Sequence, residues 1–401
     1  MTHDTNIPQG YKATALGIIP QEWKTIRLKD CFSISAGGDV QKDCFSETPS
    51  LQYKYPIYSN SLFNHGLYGF TSHPRHKANS ITITGRGALG HAEYRETDFD
   101  AIVRLLVLAP KIPLNGQYIT EYINFREPFF YESTGVPQLT APQIANIQVL
   151  FPPLAEQRKI AEVLGVWDEA IEKQARLIEK LALRKRALMQ RLLSAKLRLP
   201  GFSEPWQKVN YSDILKEVRR TLTWDENELY DLISVRRRSG GVFHRESLYG
   251  HEIKTKTLRP ALEGDFLISK MQIVHGASGV VPKQLSGMKI SGSYIALIAK
   301  DPKELNINYF NLWSQMPLFY HQTFASSYGV HIEKMTFDLD AFMSLSMNLP
   351  PIEEQSRIVE VISTATNEIE LAKEKLERLR RQKRGLMQQL LTGKKRVKYG
   401  N

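Results

Sequence analysis

The chain contains one of its own segments twice. PPLAEQRKIAEVL, beginning at Pro152, returns as PPIEEQSRIVEVI, beginning at Pro350. At the same offset of about 198 residues, KRALMQRLLSAK (from Lys185) returns as KRGLMQQLLTGK (from Lys383), and about 19 of roughly 45 positions between the outer ends are identical without a gap. Each copy reads as one long helix. In the first, Ile160, Leu164, Trp167, Ile171, Gln174, Ile178, Leu181, Lys185, Leu188 and Leu192 follow in alternating steps of four and three, the heptad pattern of a coiled-coil seam. In the second, the same places are held by Ile358, Ile362, Ala365, Ile369, Ala372, Leu376, Leu379, Lys383, Leu386 and Leu390. Lys185 and Lys383 occupy equivalent seam positions, where a polar residue costs stability and fixes register. The proline pairs at 152–153 and 350–351 end the preceding strands, because proline starts a helix and does not continue inside one. At 1.5 Å per residue, each helix of about 40 residues is roughly 60 Å long.

The intervening segments repeat their order with different content. In the first, SITIT (80–84) alternates as a strand and GRGALG (85–90) follows. Then come the apolar run IVRLLVLA (102–109), a helical QYITEYINF (117–125), the loop STGVPQL (133–139) and IANIQVLF (144–151). The second gives GDFLISK (264–270), SYIALIAK (293–300), NYFNLWSQM (308–316), SSYGVHI (326–332) and SLSMNL (344–349). EWKTIRLKD (22–30) opens one segment and PWQKVNYSD (205–213) the other, and the Pro and Gly of LPGFSEPW (199–206) break the first helix. One scaffold carrying two different faces is what a two-site reader needs.

With 401 residues the chain is too long for one ordinary domain. No run of eighteen apolar residues appears, so no membrane span is expected, and MTHDTNIPQGYK lacks a signal pattern, which predicts a cytoplasmic protein. Two cysteines, Cys31 and Cys44, exclude a disulfide framework or a four-thiolate metal site. The net charge of +11 points to a polyanionic partner, nucleic acid first. Residues 155–196 and 353–398 carry 22 basic and 13 acidic side chains, so most of the surplus lies on the helices. Long solvated helices collect such charge without touching phosphate, and charge alone decides nothing.

Duplicated halves of this kind should be related by a pseudo-two-fold axis, with the long helices antiparallel and a globular domain at each end. Duplex DNA has the same local symmetry, and dimeric readers place their modules roughly 34 Å apart, one helical turn. One chain would then imitate a dimer whose halves differ. Its half-sites need not be palindromic, and the rod would set the number of unread bases between them.

The twice-used pattern of PL or PI, any residue, EQ, two residues and Ile, leading into a long helix, resembles the specificity (S) subunit of Type I restriction–modification enzymes. The likeness covers nearly the whole chain: IPQEWKTIRLKD (19–30) and LPGFSEPW (199–206) look like the lead-ins to two target-recognition domains. It implies an α/β fold with two such domains, each a mixed sheet plus helices, separated by two long antiparallel coiled-coil helices in a pseudo-two-fold repeat. The expected division is an extension at 1–19, a first domain at 20–151, a long helix at 152–198, a second domain at 199–349, and a second helix with a basic tail at 350–401. The resemblance also implies double-stranded DNA as ligand and two methyltransferase subunits, which use S-adenosylmethionine to methylate adenine at N6. Two motor–nuclease subunits using ATP and Mg²⁺ complete the assembly, docked mainly through the long helices. No cofactor or metal is expected on this chain itself.

Enzyme chemistry fails on missing parts. LLTGKKR (390–396) lacks the upstream glycine of a phosphate loop, and no Asn-Pro-Pro-aromatic tetrapeptide is present. GRGALG (85–90) has no βαβ context for a dinucleotide. His73 and His76 in SHPRH stand without a Cys or carboxylate at zinc spacing, and Asp39 and Asp43 lack a Glu-x-Lys partner.

Base reading needs Arg, Lys, Asn, Gln or Ser presented in a groove. In the first domain Tyr58 and Asn60 of YSNS, Arg86 between two glycines, and Gln138 of GVPQ (135–138) fit, although Tyr58 reads as a core residue before a stacking partner and Arg86 is equally a solvated turn arginine. In the second, Arg236, Arg237 and Arg238 of VRRRSGG form the densest basic stretch, in a loop whose glycines predict mobility, and they suit phosphate better than bases. Ser269, Lys270 and His331 take parallel places. Ile160, Leu164, Trp167, Ile171, Lys185, Leu188, Ile358, Ile362, Ile369, Lys383 and Leu386 are assigned to the helix seam and partner docking. The rival to a DNA reader is a coiled-coil adaptor whose globular ends bind proteins.

Overall fold

The computed structural model describes residues 7–126 and 138–398. They form two units, one of residues 1–176 with 373–401 and the other of residues 177–372. Each unit therefore contains one globular domain, the near part of one long helix and the far part of the other. The helices run Leu154–Leu192 and Ile352–Leu390, 39 residues each, and start just past the proline pairs.

In the first unit, strands Lys24–Arg27 and Gln148–Phe151 pair antiparallel and tie the two ends of the domain together. An inner antiparallel sheet has the order Phe32–Ala36, Leu106–Pro110, Ser80–Ile83, Ala92–Arg95. An outer sheet, ordered Asp100–Ala101, Tyr55–Tyr58, Leu67–Thr71, Phe45–Ser46, is mixed because its first pair is parallel. Side chains of a strand alternate between faces. Leu106 and Leu108 accordingly enter the main core, whereas Val107 joins Phe99, Ala101 and Leu105 on the opposite side. The apolar run 102–109 is not one continuous strand. Residues 102–105 form a turn in which Val103 and Arg104 are left-handed (φ +54° and +59°), and the strand begins only at Leu106.

The second unit repeats this plan. Gln207–Asn210 pairs with Ser346–Leu349, and the inner sheet runs Leu215–Glu217, Tyr294–Ala299, Phe266–Ser269, Ser278–Val280. Its outer sheet is ordered Val242–Tyr249, Leu229–Val235, Lys289–Ile290, Arg259–Pro260. Phe266 and Ile268 face the main core and Leu267 the other, the same division of labour.

The helices close both cores along the expected seam, antiparallel within each unit. Ile160 and Leu164, with Met387, Leu390 and Leu391, complete the first core, and Leu192, Leu193, Ile358 and Ile362 the second. Ile369 is buried, while Trp167, Ile171, Lys185, Leu188, Lys383 and Leu386 are half-buried. The repeated Glu-Gln has a structural task in each unit. Buried Glu156 accepts from Trp23 Nε1 (2.9 Å) and from Arg396 Nε and Nη2 (2.6 and 2.9 Å). Buried Glu354 accepts from Trp206 Nε1 (3.0 Å) and Arg198 Nε and Nη2 (2.7 and 2.9 Å) in the same way. Gln157 Oε1 takes the N–H of Asn115 and Gln355 Oε1 that of Asn306, each at 2.9 Å, and these two asparagines cap the helices Gly116–Phe125 and Ile307–Trp313. A buried carboxylate in a bidentate arginine pair is costly to break, so the motif fastens each helix to its domain.

Candidate nucleic-acid interface

In the first unit three loops meet at the edge of the sheets. The hairpin joining Tyr55–Tyr58 to Leu67–Thr71 has its tip at 59–66, closed by the Ser59 N–H on the Gly66 carbonyl (2.8 Å). Asn60 donates from Nδ2 to the Val103 carbonyl (2.6 Å) and accepts the Gly85 N–H on Oδ1 (2.7 Å). It thus binds the tip, the 85–90 loop and the 102–105 turn to one another. Leu139 N–H adds a bond to the Gly85 carbonyl (3.0 Å), which brings half-buried Gln138 beside Arg86. Gly85 is closely packed here: a Cβ would stand 3.0 Å from the Leu139 carbonyl oxygen and 3.1 Å from that of Arg104.

Three sequence candidates, Asn60, Arg86 and Gln138, are therefore brought together, but with different roles. The side chains of Arg86 and Arg104 are exposed and make no ion pair or hydrogen bond among the described residues. Asn60 spends both ends of its amide inside the protein, so it is a fastener and not a free base reader. Tyr58 is half-buried under the Arg95 guanidinium (3.6 Å to the ring centroid) with Phe99 at 5.7 Å. Residues 135–137 of the GVPQ loop lie outside the described residues. Sequence reasoning missed Leu62, Phe63, Val103 and Arg104, all exposed on this surface. The turn signal Asn-His-Gly at 64–66 was available, but nothing in it foretold an exposed aromatic.

The second unit builds the matching surface from other residues. Arg236, Arg237 and Arg238 stand at the hairpin tip between Leu229–Val235 and Val242–Tyr249. This tip is fastened, contrary to the mobility its glycines predicted. Arg236 N–H reaches the Gly241 carbonyl (2.9 Å), Arg238 N–H that of His275 (2.7 Å) and Ser239 N–H that of Gly276 (2.8 Å). Ser239 Oγ and the Tyr320 hydroxyl share a further hydrogen bond (2.7 Å). Arg236 lies 3.9 Å over the Phe243 ring, and Arg237 pairs with Glu333 (2.9 Å) in the 330–335 loop that carries exposed His331. The Lys270 carbonyl takes the Phe337 N–H (3.0 Å), so Lys270 joins the same surface. Arg238 has no side-chain partner among the described residues and lines a cleft of about 510 Å³ with Lys185, Arg186, Gln315 and Tyr320. Ser269 is only 6% exposed, with its N–H on the Ala277 carbonyl, so it lies beneath the surface and cannot meet a base. Met271, Tyr328, Val330 and Ile332 are exposed apolar neighbours that the sequence reading left out.

The seam residues are spent within this chain. The apolar side chains that the long helices turn outward are Val166, Leu177, Leu183 and Leu371. His73 bonds Ser72 Oγ (2.8 Å) and His76 stacks on Phe99 (5.3 Å), where burial pushes its pKa down. Among the described residues no group of three or more His, Cys, Asp or Glu side chains could hold a metal ion, and no helix is long and apolar enough to cross a membrane.

What the fold and its two surfaces define is an internally duplicated binding protein with one polar, arginine-bearing face per unit. The family model described as "Type I restriction modification DNA specificity domain" matches residues 20–182 and 203–381, and the chain belongs to that family. It is 22% identical over 422 residues to a type I restriction enzyme specificity subunit of Methanocaldococcus jannaschii, covering 96% of this chain and 95% of that one. A type I restriction enzyme specificity subunit of Mycoplasma pneumoniae is 28% identical over 152 residues, 37% of this chain and 44% of that one. Against a further Mycoplasma pneumoniae relative, 32% identical over 145 residues, the chain spans 39% of the relative's length. The crystal structure of a type I restriction–modification S subunit from M. genitalium shares the fold, with a TM-score of 0.59 at 13% identity over 98% of both chains.

Proposed function

We propose that this chain is the sequence reader of a type I restriction–modification assembly, with one half of a split DNA target read on each unit. The observation that carries the reading is the pair of surfaces. The same frame presents Arg86 and Arg104 in one unit and Arg236 and Arg238 in the other, beside loops of unlike sequence. Direct readout in the major groove needs such donors, and unlike loops give unlike half-sites. The outward apolar positions Val166, Leu177, Leu183 and Leu371 suit two methyltransferase subunits and two motor–nuclease subunits as partners. S-adenosylmethionine, ATP and Mg²⁺ belong to those partners, and adenine-N6 methylation and ATP-dependent cleavage are activities of the assembled complex in the cytoplasm. This chain contributes specificity and no catalysis.

The test is genome-wide mapping of N6-methyladenine in cells carrying this chain with an active partner methyltransferase, against cells lacking only this chain. A single motif of two defined blocks and a fixed gap should vanish with the chain. Identical methylation in both, with the methyltransferase active, would replace this reading by a protein-binding adaptor.

A further inference from the structure

We infer that the 59–66 tip of the first unit is a wedge: Phe63 enters a groove of the duplex and unstacks one base step. The inference rests on the DNA-reading function proposed above and specifies how this unit would read its half-site. Phe63 is 85% exposed and Leu62 beside it 53%, whereas Trp23, Phe32, Phe99, Tyr118 and Tyr122 of the same unit are fully buried. With Val103 (48% exposed), whose carbonyl Asn60 holds, Leu62 and Phe63 make a small apolar group at the end of the hairpin.

The ring stands on a fastened support. Asn64, His65 and Gly66 take three consecutive left-handed conformations (φ +47°, +54° and +77°), which Asn and His adopt more readily than other L-residues, so the tip is a defined turn. Gly66 has no room for a side chain, since a Cβ would lie 2.8 Å from the Ser59 carbonyl oxygen. Asn60 ties the tip to two other loops, and His65 Nδ1 pairs with Glu93 (3.2 Å), which also takes His91 Nε2 (3.0 Å). A group held in place beforehand loses little freedom on insertion.

Charge and size identify what the tip meets. The loops that Asn60 gathers around it carry Arg86 and Arg104, whose guanidinium groups have no partner among the described residues and suit phosphates. Leu62, Phe63 and Val103 together form a patch far below the roughly 800 Å² per partner of a stable protein interface. It suits one base step, and apolar side chains inserted between steps are a known way for proteins to kink a duplex. The second unit has arginines at the corresponding tip, so the unstacked step belongs to one half-site only.

The test uses the assembled methyltransferase complex on a duplex carrying the mapped site, probed with permanganate for unstacked thymines and diethyl pyrocarbonate for unstacked purines. The thymine opposite the methylated adenine reports any opening by the partner enzyme and serves as internal reference. The wild type should show one further reactive step in a single half-site. Phe63→Ala should lower that reactivity at least tenfold relative to the reference, and Phe63→Trp should keep it. Site-specific methylation with no further reactive step, or a step indifferent to Phe63→Ala, overturns the wedge and leaves the reader intact. Loss of all site specificity in the wild type overturns both.

Discussion

The two hairpin tips occupy the same place on the same frame and carry opposite chemistry. In the first unit the tip is apolar, with Leu62 and Phe63 exposed, and the cations Arg86 and Arg104 come from the adjoining loops. In the second unit the tip is cationic, with Arg236, Arg237 and Arg238, and the neighbours Met271, Val330 and Ile332 are apolar. Behind both tips the fastening is the same: Trp23, Glu156 and Arg396 in one unit, Trp206, Glu354 and Arg198 in the other. Stability is thus supplied by residues the halves share, which leaves the tips free to diverge without unfolding the domain. One divergence of the frame, at a seam lysine, carries the largest expected effect.

Lys383 is the seam lysine of the first unit, with its ammonium 2.6 Å from Asp168 Oδ1 and 2.8 Å from Glu121 Oε2. At the matching positions of the second unit, set by the Asn115 and Asn306 caps and by the helix repeat, stand Leu312 and Thr366. Burial pushes the Glu121 pKa up to about 7, with Lys383 pulling it down and Asp168 pushing it up. Lys383→Met would leave a buried carboxylate unpaired and is expected to cost about 3–5 kcal/mol in thermal or denaturant unfolding of the complex. Adding Glu121→Leu, the residue of the second unit, should restore most of it; a double variant no better than the single would show that the cluster is not the cause. The same group predicts a pH slope. Its folded pKa lies above the unfolded one, so its cost is absent below pH about 4.5, grows as pH rises through 7, and is constant above about pH 8. Stability of wild type minus that of Glu121→Gln should fall across that window and level off above about pH 8.

Much of this frame was legible in the sequence, because repetition and heptad spacing survive divergence. The two helices, their proline starts and the strand-then-helix order of each domain were all visible. The left-handed turn at 102–105 was not: Val103 and Arg104 are residues that no turn rule marks, and IVRLLVLA reads as a strand until Gly37 and Gly38 are seen accepting their N–H groups. The fastening of the 236–241 tip was hidden because its partners His275, Gly276 and Tyr320 are remote in sequence. Arg396 passed as part of a basic tail, and Arg198 as the end of a helix, for the same reason. Ser269 misled because strand alternation tells which face a residue takes, and not that both faces are covered.

Removing the cations tests whether the two surfaces meet DNA with equal weight. Each lost phosphate contact lowers the slope of log affinity against log salt by about one. Arg236→Ala with Arg238→Ala should reduce the slope by about two and affinity by about tenfold at moderate salt. Arg86→Ala with Arg104→Ala should do the same if both arginines beside the wedge hold phosphates. Arg237→Ala should change less, because Glu333 already holds that guanidinium. Titration of the complex against the mapped duplex at several salt concentrations measures all three. An unchanged slope in the second-unit pair would remove its tip from the interface.

The smallest effect concerns the ends of the two helices, where one frame has been met with two different residues. Each helix closes with a left-handed residue, Ala195 at φ +57° and Gly393 at φ +73°. Beyond them the Leu197 N–H returns to the Arg191 carbonyl and the Lys395 N–H to that of Gln389, both at 3.0 Å. An L-residue in this conformation costs about 1 kcal/mol or more, which glycine avoids. Gly393 is doubly constrained, since a Cβ would stand 2.4 Å from Pro20 Cδ. Gly393→Ala should therefore cost about 1–2 kcal/mol. Ala195→Gly should gain about 0.5 kcal/mol, because relief of the strained φ exceeds the added freedom of the unfolded chain. Differential scanning calorimetry of both variants reads the two signs directly. If Ala195→Gly also destabilises, the alanine methyl makes a packing contribution larger than the backbone strain, and the two helix ends are less alike than their dihedral angles indicate.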